Sequence, residues 1–165
     1  MQKRKQMKRL LLLATACLMA VSFAFAQDAS KCSRKQAMAA EDVADRASSW
    51  DDLYRFYRKY KHCDDGAIAE GFDGSVTRLL ERNWKEKKKI ASLINKDKGF
   101  RVFVIRHVDA LANSECLRRI EQNAREKCSA ELKTFCQDVI KAATDAIPYA
   151  DAPPTGLWPD DPVCD

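Results

Sequence analysis

The chain has 165 residues, 46% of them hydrophobic, with 29 basic and 24 acidic side chains and a formal net charge of +5. Five of the basic residues fall in the first 26 positions, and the other 139 residues balance at 24 basic to 24 acidic. That neutrality excludes net charge as a ground for a nucleic-acid or anionic-membrane partner.

The first 26 residues have the three regions of an export signal. Lys3, Arg4, Lys5, Lys8 and Arg9 form a basic start, Leu10 to Phe25 an uncharged apolar run, and Ala24-Phe25-Ala26 a small-residue cleavage pattern. The run is shorter than the ~20 residues a membrane span needs. Cleavage before Gln27 is therefore expected, with no membrane span left afterwards and a periplasmic or secreted address. The minor alternative is a lipoprotein lipidated at Cys17, which follows Ala14-Thr15-Ala16.

All five prolines lie at or after Pro148. Lys, Arg, Glu, Ala and Leu dominate residues 27–147, a composition that favours helix and lacks breakers. About seven helices are expected. The first covers about 33–47, with Ala37, Ala40, Ala44 and Ala47 on one face. Ser49 caps the second, with Asp52 in the capping-box place, and Trp50, Leu53, Tyr54, Tyr57 and Tyr60 mark its stripe. Asp64 or Asp65 caps the third, whose stripe is Ile68, Phe72, Val76, Leu79, Leu80 and Trp84.

A fourth helix carries Ile90, Leu93 and Ile94, and Asp97-Lys98-Gly99 marks a break and cap. The fifth places Phe100, Phe103, Val104, His107, Val108 and Leu111 on one side. Ser114 caps the sixth, with Leu117, Ile120 and Ala124 inward. The seventh covers about 130–146, with Leu132, Phe135, Val139, Ile140 and Ala143 inward. The expectation is an all-α, disulfide-stapled, compact multi-helix bundle at 27–147, followed by an extended Pro-rich tail at 148–165.

Six cysteines remain after the signal, an even number that reads as three disulfides in an exported chain. Cys32 and Cys63 fall at the open end of a hairpin made by the first two helices. Cys128 and Cys136 flank the turn between the sixth and seventh helices. Cys116 and Cys128 on one helix would stand about 18 Å apart, too far to bridge. The favoured set is Cys32–Cys63, Cys128–Cys136 and Cys116–Cys164, the last tying the tail to the domain. Without a C-x-x-C pair, zinc binding and thiol redox chemistry both lose their usual framework.

Three of the five glycines and four carboxylates crowd into 62–74. Gly71 and Gly74 share a helix face on which another helix or a ligand can lie close. His62, Asp64, Asp65, Glu70 and Asp73 are the ligand or partner candidates of this stretch, with capping the plainer role for Asp64 and Asp65. The ordered Asp spacing of a calcium loop is absent, and no metal or other cofactor is expected. His107 reads as a packed, hydrogen-bonded histidine, because Asp109 two positions on points elsewhere.

Lys85-Glu86-Lys87-Lys88-Lys89 reads as a solvated helix surface. Trp158 is a further candidate, an aromatic anchor in the tail that docks on its own domain or meets a partner. Neither G-x-S-x-G, H-E-x-x-H, a phosphate-binding loop nor a dinucleotide fingerprint occurs. The absence of such motifs points away from catalysis.

The stretch Cys63-Asp64-Asp65-Gly66-Ala67-Ile68-Ala69-Glu70-Gly71-Phe72, framed by Trp50 and Trp84 and followed by Phe100-Arg101-Val102-Phe103-Val104-Ile105-Arg106-His107, resembles small exported bacterial helical proteins with no assigned function. The resemblance implies a bacterial origin and an envelope location. The expected role is a non-enzymatic factor that binds another protein of the envelope, of inhibitor or immunity type, with no nucleic-acid partner. The alternative is a small-ligand or metal-binding protein using the 62–74 stretch.

Overall fold

The computed structural model of the chain describes residues 31–151. The expected signal peptide, Cys17, Trp158 and Cys164 lie outside them. Within them are seven α-helices and no strand. The helices are α1 (Arg34–Ala44), α2 (Trp50–Tyr60), α3 (Gly66–Arg82), α4 (Lys87–Lys96), α5 (Lys98–Arg106), α6 (Ser114–Glu126) and α7 (Lys133–Ala150). Single 3₁₀ turns at Lys61–Cys63, Trp84–Glu86 and Ala130–Leu132 lead out of α2 and into α4 and α7.

Local chemistry starts most of these helices. Ser33 and Gln36 form a reciprocal capping box on α1. Ser49 accepts the Asp52 N–H, and its hydroxyl donates to the Asp52 carboxylate at 2.8 Å. Hydroxyl bonds from Ser49 and, less strongly, Ser48 hold the Asp52 carboxyl below its usual range. Asp97 ends α4 and caps α5, accepting the Phe100 N–H at 3.2 Å.

α3 is the central helix, packing on α1, α2 and α6, while α6 and α7 form the most extensive pair. Its inward side buries Ile68, Phe72, Val76, Leu79 and Leu80. α6 contributes Leu117, Ile120 and Ala124, and α7 contributes Phe135, Val139 and Ala143. An aromatic cluster of Tyr57, Phe72, Phe100 and Phe103 joins α2, α3 and α5, with ring centroids about 5 Å apart.

The face of α3 carrying Gly71, Gly74, Ser75 and Arg78 receives the end of α1. A Cβ on Gly71 would stand 2.8 Å from the Ala44 Cβ, so the glycine sets how closely the two helices approach. Buried Ser75 donates to the Ala44 carbonyl at 2.6 Å and accepts the Ala47 N–H at 3.3 Å. Arg78 donates to the Asp45 carbonyl and carboxylate. At the other end of α3, the Asn123 amide of α6 donates to the Glu81 carbonyl at 2.7 Å.

Four expectations need correction. Asn113, not Ser114, caps α6, because its side chain reaches the Glu115 N–H at 2.8 Å. Leu111 is not on the inward side of the fifth helix but 63% exposed. α5 stops at Arg106, and Asp109 then accepts the Leu111 N–H in a short turn, which rotates Leu111 outward. α1 ends at Ala44 rather than 47, where the α3 side chains take over its carbonyls.

The fourth correction concerns Pro148, which does not begin an extended segment but sits within the last turn of α7. The proline forfeits one bond, to the carbonyl of exposed Thr144, and the Asp151 N–H still closes on Ile147 at 2.9 Å.

Cys128 and Cys136 are bonded across the α6–α7 turn, with Cα atoms 6.3 Å apart. Cys32, Cys63 and Cys116 are disulfide-bonded as well.

Two outcomes are expected, the first from this packing and the second from the placement of the cysteines in the sequence. Gly71→Ala should destabilise the fold by roughly 1–3 kcal/mol in denaturant unfolding, because overpacking against Ala44 outweighs the gain in helix propensity. Non-reduced peptide mapping should join Cys63 to Cys32, and a link from Cys63 to any other cysteine would refute that pairing.

Candidate functional site

The 62–74 stretch folds into the entrance of α3. Asp65 has extended backbone and caps the helix, its carboxylate accepting the Gly66 N–H at 2.9 Å. Gly66 has φ +51°, in the left-handed region a side chain would resist, and this lets the chain turn sharply into the helix. The turn leaves Asp64 just before the cap, its side chain only 1% exposed. Asp73 follows on α3, spaced from Val76, Thr77 and Leu80 like an inward-facing residue, and is buried.

Opposite them lies the end of α5. His107 closes that helix, its backbone N–H bonding to the Phe103 carbonyl at 3.3 Å. His107 is 2% exposed, and its imidazole packs against the rings of Phe103 and Phe72, with centroids 4.3 and 5.9 Å away. Its Nδ1 bonds to the Asp73 carboxyl, and its Nε2 meets the Asp64 carboxylate at 3.2 Å. The Arg106 guanidinium pairs with the same Asp64 oxygen from the solvent side.

Burial raises the Asp73 carboxyl above its ordinary range, with the His107 bond pulling the other way and nearby Asp109 and Glu70 adding to the rise. Two carboxyl groups facing two ring nitrogens need one shared proton. Either Asp73 holds it and donates to Nδ1, or the ring holds it as imidazolium. With Arg106 counted, the four groups carry no net charge in either arrangement. A buried cluster of this kind must be neutral to persist.

This geometry fixes what the cluster can do. A general base needs a ring nitrogen facing substrate, and both nitrogens of His107 are engaged by the protein's own carboxyls. The group acts as a clasp joining the loop before α3, the first half of α3 and the end of α5. Of the other candidates, Asp65 is occupied as a cap, Glu70 is exposed and His62 is half-buried. Among the described residues no three His, Cys, Asp or Glu side chains are placed to hold a metal ion.

The bonds from His107 to Asp73 and Asp64 span 34 and 43 residues, and no local spacing announces them. The available signal was a pair of polar residues on two apolar stripes, Asp73 on one and His107 on the other. No family model matches the chain, and neither a curated protein nor a solved structure is significantly similar to it.

The clasp predicts a pH dependence. A carboxyl whose folded pKa is raised contributes stability that is full below its unfolded value, about 4, and is lost as pH rises through the elevated one. Asp73→Asn copies the protonated carboxyl, since its amide can donate to Nδ1. Relative to that variant, the native protein should lose stability as pH rises from about 4 toward neutrality in denaturant unfolding. Asp73→Ala should cost about 1–3 kcal/mol or more throughout, because it leaves a buried ring nitrogen unpaired.

Proposed function

We propose that the chain is an exported protein, periplasmic or secreted, that acts without catalysis by binding another protein, as an inhibitor or immunity-type factor does. The observation that carries this reading is the inward commitment of His107. The cluster that most resembles acid–base machinery is spent on holding the fold together. The export-like opening of the sequence supports the address, and disulfide bonds fit an oxidising compartment. No helix among the described residues is long and apolar enough to cross a membrane.

Val102 on α5 and Leu111 in the loop after it are 67% and 63% exposed and offer apolar contact to a partner. The alternative, a small-ligand or metal site in 62–74, has less to draw on, since Asp64, Asp65 and Asp73 already have bonding roles in the fold.

Pull-down from an envelope extract with the oxidised protein should retain a protein partner. Val102→Asp with Leu111→Asp should weaken that retention by about tenfold or more, the loss expected when apolar anchors become charged. Failure to retain any protein, together with a rise in melting temperature on adding a small molecule or ion, would reverse the ordering of the two readings.

A further inference from the structure

Neutrality of the 139 residues after the signal hides an uneven distribution. Ten Lys and Arg side chains lie between Arg55 and Lys61 or between Lys85 and Lys98. The helices and flanks that carry them, residues 50–61 and 84–98, hold only four carboxylates: Asp51, Asp52, Glu86 and Asp97. α2 and α4, which carry most of these cations, pack side by side. Lys89 pairs with Asp51 at 2.7 Å and Arg55 with Asp52 at 2.6 Å. Among the described residues the other eight have no ion pair, whereas most basic side chains elsewhere do.

Several of these cations are positioned without being neutralised. The Tyr54 and Tyr57 rings stack with centroids 6.1 Å apart. Lys96 Nζ stands 5.9 Å from the Tyr54 ring and Lys61 Nζ 5.2 Å from the Tyr57 ring. A ring face attracts and orders an ammonium while leaving its charge uncancelled. Arg58 adds its charge near the Tyr57 hydroxyl, and exposed Lys98 opens α5 beside them. The local carboxylate, Asp97, is drawn inward to the Phe100 N–H and the Tyr54 hydroxyl.

The chemistry of this face selects its partner. The large apolar side chains that stand exposed among the described residues are Met38, Val102, Leu111 and Tyr149, none of them on α2 or α4. A protein interface takes its affinity from buried apolar or aromatic anchors, whereas an anionic headgroup layer needs only accessible cations. We propose that the α2–α4 face, centred on Arg58, Lys61, Lys96 and Lys98, docks on an anionic lipid bilayer. The rest of the surface, which is not basic in sum, then faces away.

Vesicle co-sedimentation of the protein, purified as its cells process it, tests this. Partition into phosphatidylglycerol-containing vesicles should exceed that into pure phosphatidylcholine by about tenfold or more at low salt and vanish at high salt. Lys61→Glu with Lys96→Glu should remove most of that excess. Arg34→Glu with Lys35→Glu, the same charge change on α1, should not. If circular dichroism shows the first pair unfolded, Lys61→Gln with Lys96→Gln should show the same contrast with a smaller loss. Equal partition into both vesicles, equal loss from both charge-reversed pairs, or binding to duplex DNA without binding to vesicles would each overturn the proposal.

Discussion

The fold depends on a histidine that two acids hold from opposite sides. His107 stands where the loop before α3, the first half of α3 and the end of α5 converge, and each brings a group to it or carries it. Removing any member would leave a buried charge or an unpaired nitrogen, which costs far more than an ordinary surface contact. That explains why a stretch rich in acids and glycines sits beside the aromatic cluster. Gly66 gives the turn, Asp65 closes the helix, and Asp64 is thereby directed inward.

The same economy governs the charges. Among the described residues, most basic side chains outside 55–61 and 85–98 are ion-paired, with Asp42, Asp45, Asp64, Glu81, Glu115, Glu121, Asp138, Asp145 or Asp151. On α2 and α4 the balancing is left incomplete, and tyrosine rings replace carboxylates as the groups that hold the cations. Total charge could not reveal this, because it sums over faces that never meet. Lys85-Glu86-Lys87-Lys88-Lys89 reads as solvated surface when taken alone. Its Lys89 reaches the start of α2, pairing with Asp51.

Much of the helix plan was legible because its signals are local. Ser49 and Asp97 announce helix starts, Tyr57 and Phe103 recur at helical spacing, and Gly71 with Gly74 mark a close approach. The errors fell where two local signals compete or where a distant group decides. Asn113 and Ser114 are both good caps, and only the backbone path selects between them. Leu111 fits the α5 stripe by count, yet α5 has already ended at Arg106. Pro148 reads as a breaker, but near a helix end it forfeits only one bond. For the clasp, His107 was legible on its stripe and Asp73 only among the acids of 62–74, while their pairing was not, since it depends on how α3 and α5 cross.

One feature of the packing bears on how the chain reaches this state. With few glycines to spare, α1 and α3 end without a left-handed glycine, and their last carbonyls are taken by side chains of a later helix. Ser75 and Arg78 serve α1, and Asn123 serves α3. Neither terminus is complete until its successor has docked. A nascent α1 would fray at its end until α3 emerges, and α3 would wait in turn on α6. At these two termini order propagates backward, each helix being finished by one made after it. Partial structures therefore gain little, and unfolding should proceed as a single step rather than by peeling from one end.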